Sequence, residues 1–136
     1  MKYFLTKQNP FSGSTVGEIR RQAEFLLHVI ERRTKRTPYV RSSYFKHQKI
    51  FITLFWDHLH SKPWKDRVRR LRLVPCAIEL LRKTTISPTT KENPNRHDEL
   101  LHRFGGITST GSVFYVQVKE EKRNGRKYFM SVFPHE

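Results

Sequence analysis

The apolar positions between residues 16 and 30 recur at the spacing of an amphipathic helix. They are Val16, Ile19, Ala23, Leu26, Leu27 and Ile30. Thr15 followed by Glu18 fits a capping box, in which the two side chains bind free backbone amides at the start of a helix. The pattern therefore predicts a helix that begins at Thr15, continues to about Arg33 and is closed by Pro38.

Residues 44–59 are so rich in aromatic and aliphatic side chains that the spacing of apolar residues does not clearly distinguish a helix from a strand. The spacing favours a buried helix, through Phe51, Leu54, Phe55 and His58, although a strand at residues 49–53 also fits. After the break at Pro63, a third helical region is predicted from Trp64 to about Lys83. Pro75 indicates either a kink or a boundary between two shorter helices.

The second half of the chain changes to the two-residue alternation of β-strands. A short strand is predicted at residues 84–87 and longer strands at residues 100–107, 112–121 and 127–133. The composition of residues 88–99 indicates a mobile loop. This order predicts a single α+β domain spanning residues 1–136, with residues 1–13 irregular and N-terminal helices packed on one face of a four-stranded antiparallel sheet.

The charge of the chain identifies the kind of partner. A formal net charge of +15 over 136 residues favours a polyanion, because cations that neutralise phosphates release counterions. The cations are spread along the sequence, so a membrane-surface helix is not expected, and no segment approaches the roughly 20 apolar residues that span a bilayer. The lone Cys76 and an N-terminus that turns polar early predict a cytoplasmic protein.

Alternation within residues 113–119 predicts which side chains face water. Phe114, Val116 and Val118 should face the helices, which leaves Gln117 and Lys119 on the solvent side. The position of Ser131 depends on the hairpin. A two-residue Asn124-Gly125 turn places it opposite Val118, whereas a three-residue loop with a glycine bulge places it beside Gln117.

The predicted sheet carries residue types that suit RNA cleavage, which needs a proton acceptor, a proton donor and cations around the phosphate. They are His102, Arg103, Gln117, Lys119, Lys127, Ser131 and His135. Arg103 is favoured as a phosphate ligand, because its guanidinium forms two parallel hydrogen bonds and Gly105-Gly106 follow it. Lys119 could equally be one member of an exposed charge run, and Ser131 a small buried residue.

Among the seven histidines, His58 is the favoured catalytic candidate, since it falls at a helix end four residues beyond Leu54. A structural role at the helix end is the alternative. The spacing of His47, His58 and His60 matches no common zinc site. No metal or cofactor is therefore predicted.

The segment 62–72 predicts a basic ridge for the RNA backbone, with an aromatic ring available for base stacking. The predicted RNA-binding residues are Lys62, Trp64, Lys65, Arg67, Arg69, Arg70 and Arg72 on the ridge, together with Gln117 and Lys127 on the sheet.

The order of elements and three segments resemble the barnase, EndoU, colicin and RelE superfamily, in particular its phage and mobile-element nuclease domains. The segments are Arg103-Phe104-Gly105, Phe114-Tyr115-Val116-Gln117-Val118-Lys119-Glu120 and Lys127-Tyr128-Phe129-Met130-Ser131-Val132-Phe133-Pro134, within a resemblance that covers residues 49–134. It implies metal-independent RNA cleavage by 2′-OH attack, with His58, Arg103, Lys119 and Ser131 as the catalytic positions. No counterpart of a catalytic glutamate is evident.

These observations predict an endoribonuclease that acts as a toxin or effector and leaves a 2′,3′-cyclic phosphate. The alternative is a non-catalytic RNA- or DNA-binding protein that uses the same cations for affinity alone. RNA is the predicted partner, and an acidic antitoxin or immunity protein would fit the basic surface.

Overall fold

The computed structural model describes all 136 residues, in four helices and seven strands. The helices are α1 Val16–Arg32, α2 Leu54–His60, α3 Trp64–Arg72 and α4 Val74–Lys83. The strands are β1 Phe4–Leu5, β2 Tyr39–Ser42, β3 Gln48–Phe51, β4 Thr89–Asn93, β5 Arg96–Ile107, β6 Val113–Glu121 and β7 Lys127–Pro134. None of the helices has the length and apolar character needed to cross a membrane.

All seven strands belong to one mixed sheet, so the prediction of a four-stranded antiparallel sheet was wrong. The strand order is β1-β5-β6-β7-β3-β2, and β4 pairs with β5 beside β1. β1 runs parallel to β5, and β3 runs parallel to β7. The fold is α+β, with the sheet curled into a half-barrel.

The capping box at Thr15 was predicted correctly. The Thr15 hydroxyl accepts a hydrogen bond from the Glu18 amide at 3.2 Å, and α1 begins at the next residue. Ile19, Ala23, Leu27 and Ile30 of this helix are buried, as its periodicity predicts. They join a core that α2 completes by stacking Phe55 on Phe129 of β7, with ring centroids 4.7 Å apart.

Three local predictions need correction. Residues 48–51 form strand β3, so the strand alternative was right there and the helix begins only at Leu54. No strand forms at residues 84–87. Residues 89–93, predicted as part of a loop, form β4 and pair with β5. The side chains of β4 are polar, which is why a loop was predicted. An outer strand that faces water needs no apolar face.

The first 13 residues are less irregular than predicted. β1 pairs with Gly106 and Ile107 of β5. The carboxylate of Glu79, in the buried helix α4, then accepts hydrogen bonds from the Lys7 and Gln8 amides at 3.0 and 2.8 Å. Buried carboxylates need such partners, and this one fixes the path of the N-terminal segment.

The β6–β7 hairpin pairs Ser131 with Gln117, one of the two predicted registers, but its loop differs from both predicted loops. Glu121 and Arg126 close a four-residue loop, with the Glu121 amide 2.9 Å from the Arg126 carbonyl. A β-bulge at Met130 then shifts the register by one, so that Ser131 lies opposite Gln117. Without the bulge, Ser131 would oppose Val116. Bulges re-aim side chains in this way.

We expect Gly106→Ala to destabilise the fold by about 1–3 kcal/mol, the usual cost of overpacking a core. A Cβ at Gly106 would lie 2.5 Å from the ring of Phe114, which is fully buried. Urea unfolding measures the effect. Gly17→Ala is the control, because a Cβ there meets only the Arg21 side chain at 3.5 Å, and a helical alanine should stabilise by roughly 0.5–1 kcal/mol. Equal unfolding midpoints for Gly106→Ala and wild type would refute the close packing of β5 on Phe114.

Candidate active site

The site lies on the face of the sheet opposite the helices. Phe114, Val116 and Val118 of β6 are fully buried against the helices, whereas Tyr115, Gln117 and Lys119 remain partly exposed on the other face. The two-residue alternation predicted this division correctly. The second set of side chains forms the middle of the exposed face.

Three of the predicted site residues lie in one row across this face. Arg103 of β5 pairs with Gln117 of β6, which pairs with Ser131 of β7. The Arg103 Nη2 atom lies 3.5 Å from the Gln117 Oε1 atom. Ser131 is only 4% exposed, so its hydroxyl is less open to a ligand than the prediction implied.

Arg70 of α3 covers Ser131. Its Nη1 donates a hydrogen bond to the Ser131 hydroxyl, and its Nε lies 3.0 Å from the Asp66 Oδ2 atom one helical turn earlier. β3 pairs with only the first two residues of β7, so the later half of β7 has a free edge that α3 reaches across. With a side chain 14% exposed and two fixed contacts, Arg70 is held in one orientation.

The ring of Phe133 lies beside two guanidinium groups. The Cζ atom of Arg70 is 5.5 Å from the ring centroid and that of Arg103 is 5.3 Å away. The Arg103 guanidinium is also 5.9 Å from the centroid of Tyr115. Cation–π contacts hold both groups without using hydrogen-bond donors. Arg103 therefore keeps most of its donors for an anion, whereas Arg70, whose Nε and Nη1 contact Asp66 and Ser131, keeps its Nη2.

A cleft of about 320 Å³ opens between α3 and the ends of β6 and β7. Its walls are formed by Asp66, Arg70, Tyr115, Phe133, Pro134, His135 and Glu136. The Tyr115 hydroxyl lies 2.9 Å from His135 Nδ1 and fixes the imidazole through that atom. Hydrogen bonding to Tyr3 raises the pKa of Tyr115, which keeps this phenol neutral.

His58 lies half-buried on α2 and is not among the residues that line the cleft. Burial lowers the pKa of its imidazole, and the positive charges of Lys62 and Arg70 lower it further. The negative end of a helix dipole raises the pKa of an imidazole, but at His58 burial and the two cations outweigh that effect. His58 is therefore neutral at pH 7 and able to accept a proton.

Lys119 and Lys127 lie away from the cleft. Lys119 occupies the next row of the exposed face, with its Nζ atom 3.5 Å from Glu99 and 5.0 Å from the Tyr128 ring centroid. Lys127 lies on the helix side, 6% exposed, and donates to Gln48 at 2.6 Å. The Lys127 ammonium therefore has protein partners, Gln48 and the Gly125 carbonyl, and does not lie on the exposed face with Gln117.

His102 also faces the helix side of the sheet. Its Nε2 lies 2.8 Å from Glu120 Oε1 and its Nδ1 2.7 Å from the Thr90 hydroxyl, with the side chain 8% exposed. A histidine whose two ring nitrogens are both bound in this way is part of the fold. It does not reach the cleft.

The predicted ridge divides into structural and exposed cations. Arg67 donates to the carbonyls of His60 and Lys62 at the end of α2, and Arg72 donates to the carbonyls of Phe11 and Gly13. These two arginines hold neighbouring backbone, so the donors that make these contacts are already occupied. Arg69 pairs with Glu136 at 2.8 Å. Lys62, Trp64 and Lys65 remain on the surface, with Trp64 61% exposed.

His135 was predicted only as one of the residue types that suit RNA cleavage, with no individual role, and no role was predicted for Asp66 or Tyr115. A signal existed for Tyr115 and His135, because Ser131, Phe133 and His135 share one strand face and Tyr115 pairs with Phe133. No sequence signal places Asp66 and Arg70 against β7, since that contact depends on how α3 packs.

Comparison of the chain with protein-family models, with curated proteins and with solved structures finds no match. The structure contains no cluster of three or more His, Cys, Asp or Glu side chains that could hold a metal ion. The function of the cleft is therefore inferred from its own geometry.

Proposed function

We propose that the protein is an endoribonuclease that cleaves RNA without a metal ion, by attack of a ribose 2′-hydroxyl on the adjacent phosphate. The observation that supports this most directly is the convergence of Arg70, Arg103 and His135 around Phe133. Two guanidinium groups suit a phosphate, since Arg103 offers a planar fork of donors and Arg70 adds its Nη2 and its charge. An imidazole beside them supplies proton transfer.

The roles follow from the surroundings of each group. Arg70 and Arg103 bind the scissile phosphate and stabilise the charge that develops on it. His58 lies outside the cleft lining but close enough to Arg70 for the charge of Arg70 to lower its pKa, and we assign it the role of accepting the proton of the 2′-hydroxyl. His135, fixed through Nδ1 by Tyr115, presents Nε2 to protonate the leaving 5′-oxygen. Ser131 and Asp66 act through Arg70 as positioning residues.

The resemblance of residues 49–134 to the barnase, EndoU, colicin and RelE superfamily agrees with this activity. The seven-stranded mixed sheet departs from the fold which that resemblance implied, so the roles above are assigned from the cleft. A toxin or effector role remains part of the proposal. With a net charge of +15, an inhibitor that covers the exposed face would be acidic.

The decisive experiment incubates the purified protein with a labelled RNA oligonucleotide in EDTA. We expect fragments that end in a 2′,3′-cyclic phosphate, and no cleavage of the DNA oligonucleotide of the same sequence, because DNA lacks the attacking hydroxyl. Cleavage of single-stranded DNA at a comparable rate would overturn the mechanism. RNA that is bound but left intact would favour the non-catalytic RNA-binding alternative, which the cations and aromatic rings of the exposed face would serve equally.

A further inference from the structure

A second row of side chains crosses the exposed face away from the cleft. Lys119 pairs with Tyr128, Tyr128 with Phe51, and Phe51 with Tyr39, on β6, β7, β3 and β2 in turn. The ring centroids of Tyr128 and Phe51 are 5.8 Å apart, and those of Phe51 and Tyr39 are 6.3 Å apart. Three rings therefore lie in contact across three neighbouring strands, each of them only partly buried.

Cations accompany these rings. The Lys49 Nζ atom lies 4.6 Å from the centroid of Tyr39, and the Cζ atom of Arg41 lies 5.3 Å from it. Both side chains are exposed. An open cleft of about 510 Å³ adjoins Lys49 and Phe51 and is also lined by Arg126. The acidic groups nearby already have partners, because Glu99 pairs with Lys119, and Glu120, which lines this cleft, pairs with His102 and Lys127.

We infer that Tyr39, Phe51 and Tyr128, with Arg41 and Lys49, form a platform that binds the unpaired bases and backbone of the RNA flanking the cleaved phosphate. Aromatic rings stack on any base, and the adjoining cations neutralise phosphates. Bases paired in a duplex are stacked on each other and cannot reach these rings. The substrate class is therefore single-stranded RNA.

The platform and the cleft lie within reach of one RNA strand. Tyr128 precedes Phe133, which lines the cleft, by five residues on β7 and lies on the same face, which corresponds to a separation of roughly 13–17 Å. β2 and β3, which carry Tyr39 and Phe51, were not part of the predicted four-stranded sheet. This inference rests on the proposed function for the identity of the RNA that is bound.

The test compares the Tyr39→Leu, Phe51→Leu double variant with wild type, since leucine keeps apolar volume and removes the stacking surface. Phe25→Leu is the matched control, because Phe25 is an aromatic residue 68% exposed on α1. Binding is measured to an unpaired 2′-O-methyl RNA of about 12 nucleotides, a length within the range of single-strand sites. That probe lacks the attacking hydroxyl and stays intact. Its complementary duplex is measured alongside.

We expect the double variant to bind the unpaired probe at least roughly 5-fold more weakly, the lower end of one base stack, and the control to bind it as wild type does. Cleavage of a dinucleotide, too short to reach the platform, should be unchanged. Unchanged affinity of the double variant, or equal wild-type affinity for the probe and its duplex, would overturn the platform even if RNA is cleaved. Absence of cleavage together with the expected loss of affinity would instead overturn the nuclease and leave the platform standing.

Discussion

Arg103→Ala is expected to lower kcat/KM for RNA cleavage by about 10²-fold, the loss typical of removing one preorganised donor from a transition state. Arg103 is exposed, and its guanidinium contacts only the Phe133 and Tyr115 rings and, at 3.5 Å, Gln117. Such contacts contribute little to folding, so the melting temperature should stay at the wild-type value. Steady-state cleavage assays and thermal unfolding measure the two quantities.

Two further variants make this result specific. Arg103→Lys keeps the charge and loses the planar fork, so its activity should fall between that of alanine and wild type. Arg123→Ala removes an equally exposed arginine from the β6–β7 loop and should leave cleavage of a short substrate unchanged. If the melting temperature of Arg103→Ala falls together with its activity, Arg103 has a structural role and not a catalytic one.

Arg70 is the less informative target, although it lies closer to the cleft. Its replacement by alanine would leave the Asp66 carboxylate and the buried Ser131 hydroxyl without their partner. Loss of a partner for a buried polar group destabilises proteins by about 1–3 kcal/mol. A loss of activity in that variant would therefore combine misfolding with chemistry, which the exposed Arg103 avoids.

The sequence predicted the strands that alternate and missed those that do not. β6 alternates between core and partly exposed positions from Val113 to Lys119, so its two faces were predicted correctly there. β3 is four residues long and leads within three residues into α2, too short a span for its period to separate from that of the helix. β4 is polar throughout because it lies at the border of the sheet.

The candidate site was predictable only where it follows from pairing along the chain. Arg103, Gln117 and Ser131 meet through two hairpin-type pairings, which strand alternation and loop length limit to a few registers. The bulge at Met130 determines this register, but Met130 is neither glycine nor proline, so the sequence does not indicate a bulge there. The contact between Arg70 and Ser131 spans 61 positions and depends on the packing of α3, which periodicity does not report.

Removal of either proposed catalytic imidazole is expected to lower kcat/KM by about 10²–10⁴-fold, the usual contribution of a general acid or base. The two variants are His58→Ala and His135→Ala. Because both groups act on one phosphate, the double variant should lose much less than the product of the single losses. His60→Ala and His97→Ala are controls, since both histidines are exposed, line no part of the cleft and, unlike His58, have no resolved interaction with Arg70. Wild-type activity in His135→Ala would remove it from the mechanism.

The pH dependence identifies which imidazole is the base. Burial, Lys62 and Arg70 lower the pKa of His58 below its ordinary value of about 6.5. A base with a lowered pKa stays neutral to lower pH, so kcat/KM of the wild type should fall on the acid side with a midpoint below about 6.5. Lys62→Ala removes one of the two cations, so it should move that midpoint upward. In His58→Ala this acid limb should disappear from the residual activity. An acid limb that survives in His58→Ala at the wild-type midpoint would assign the base to another group, because no titration of His58 could then produce it.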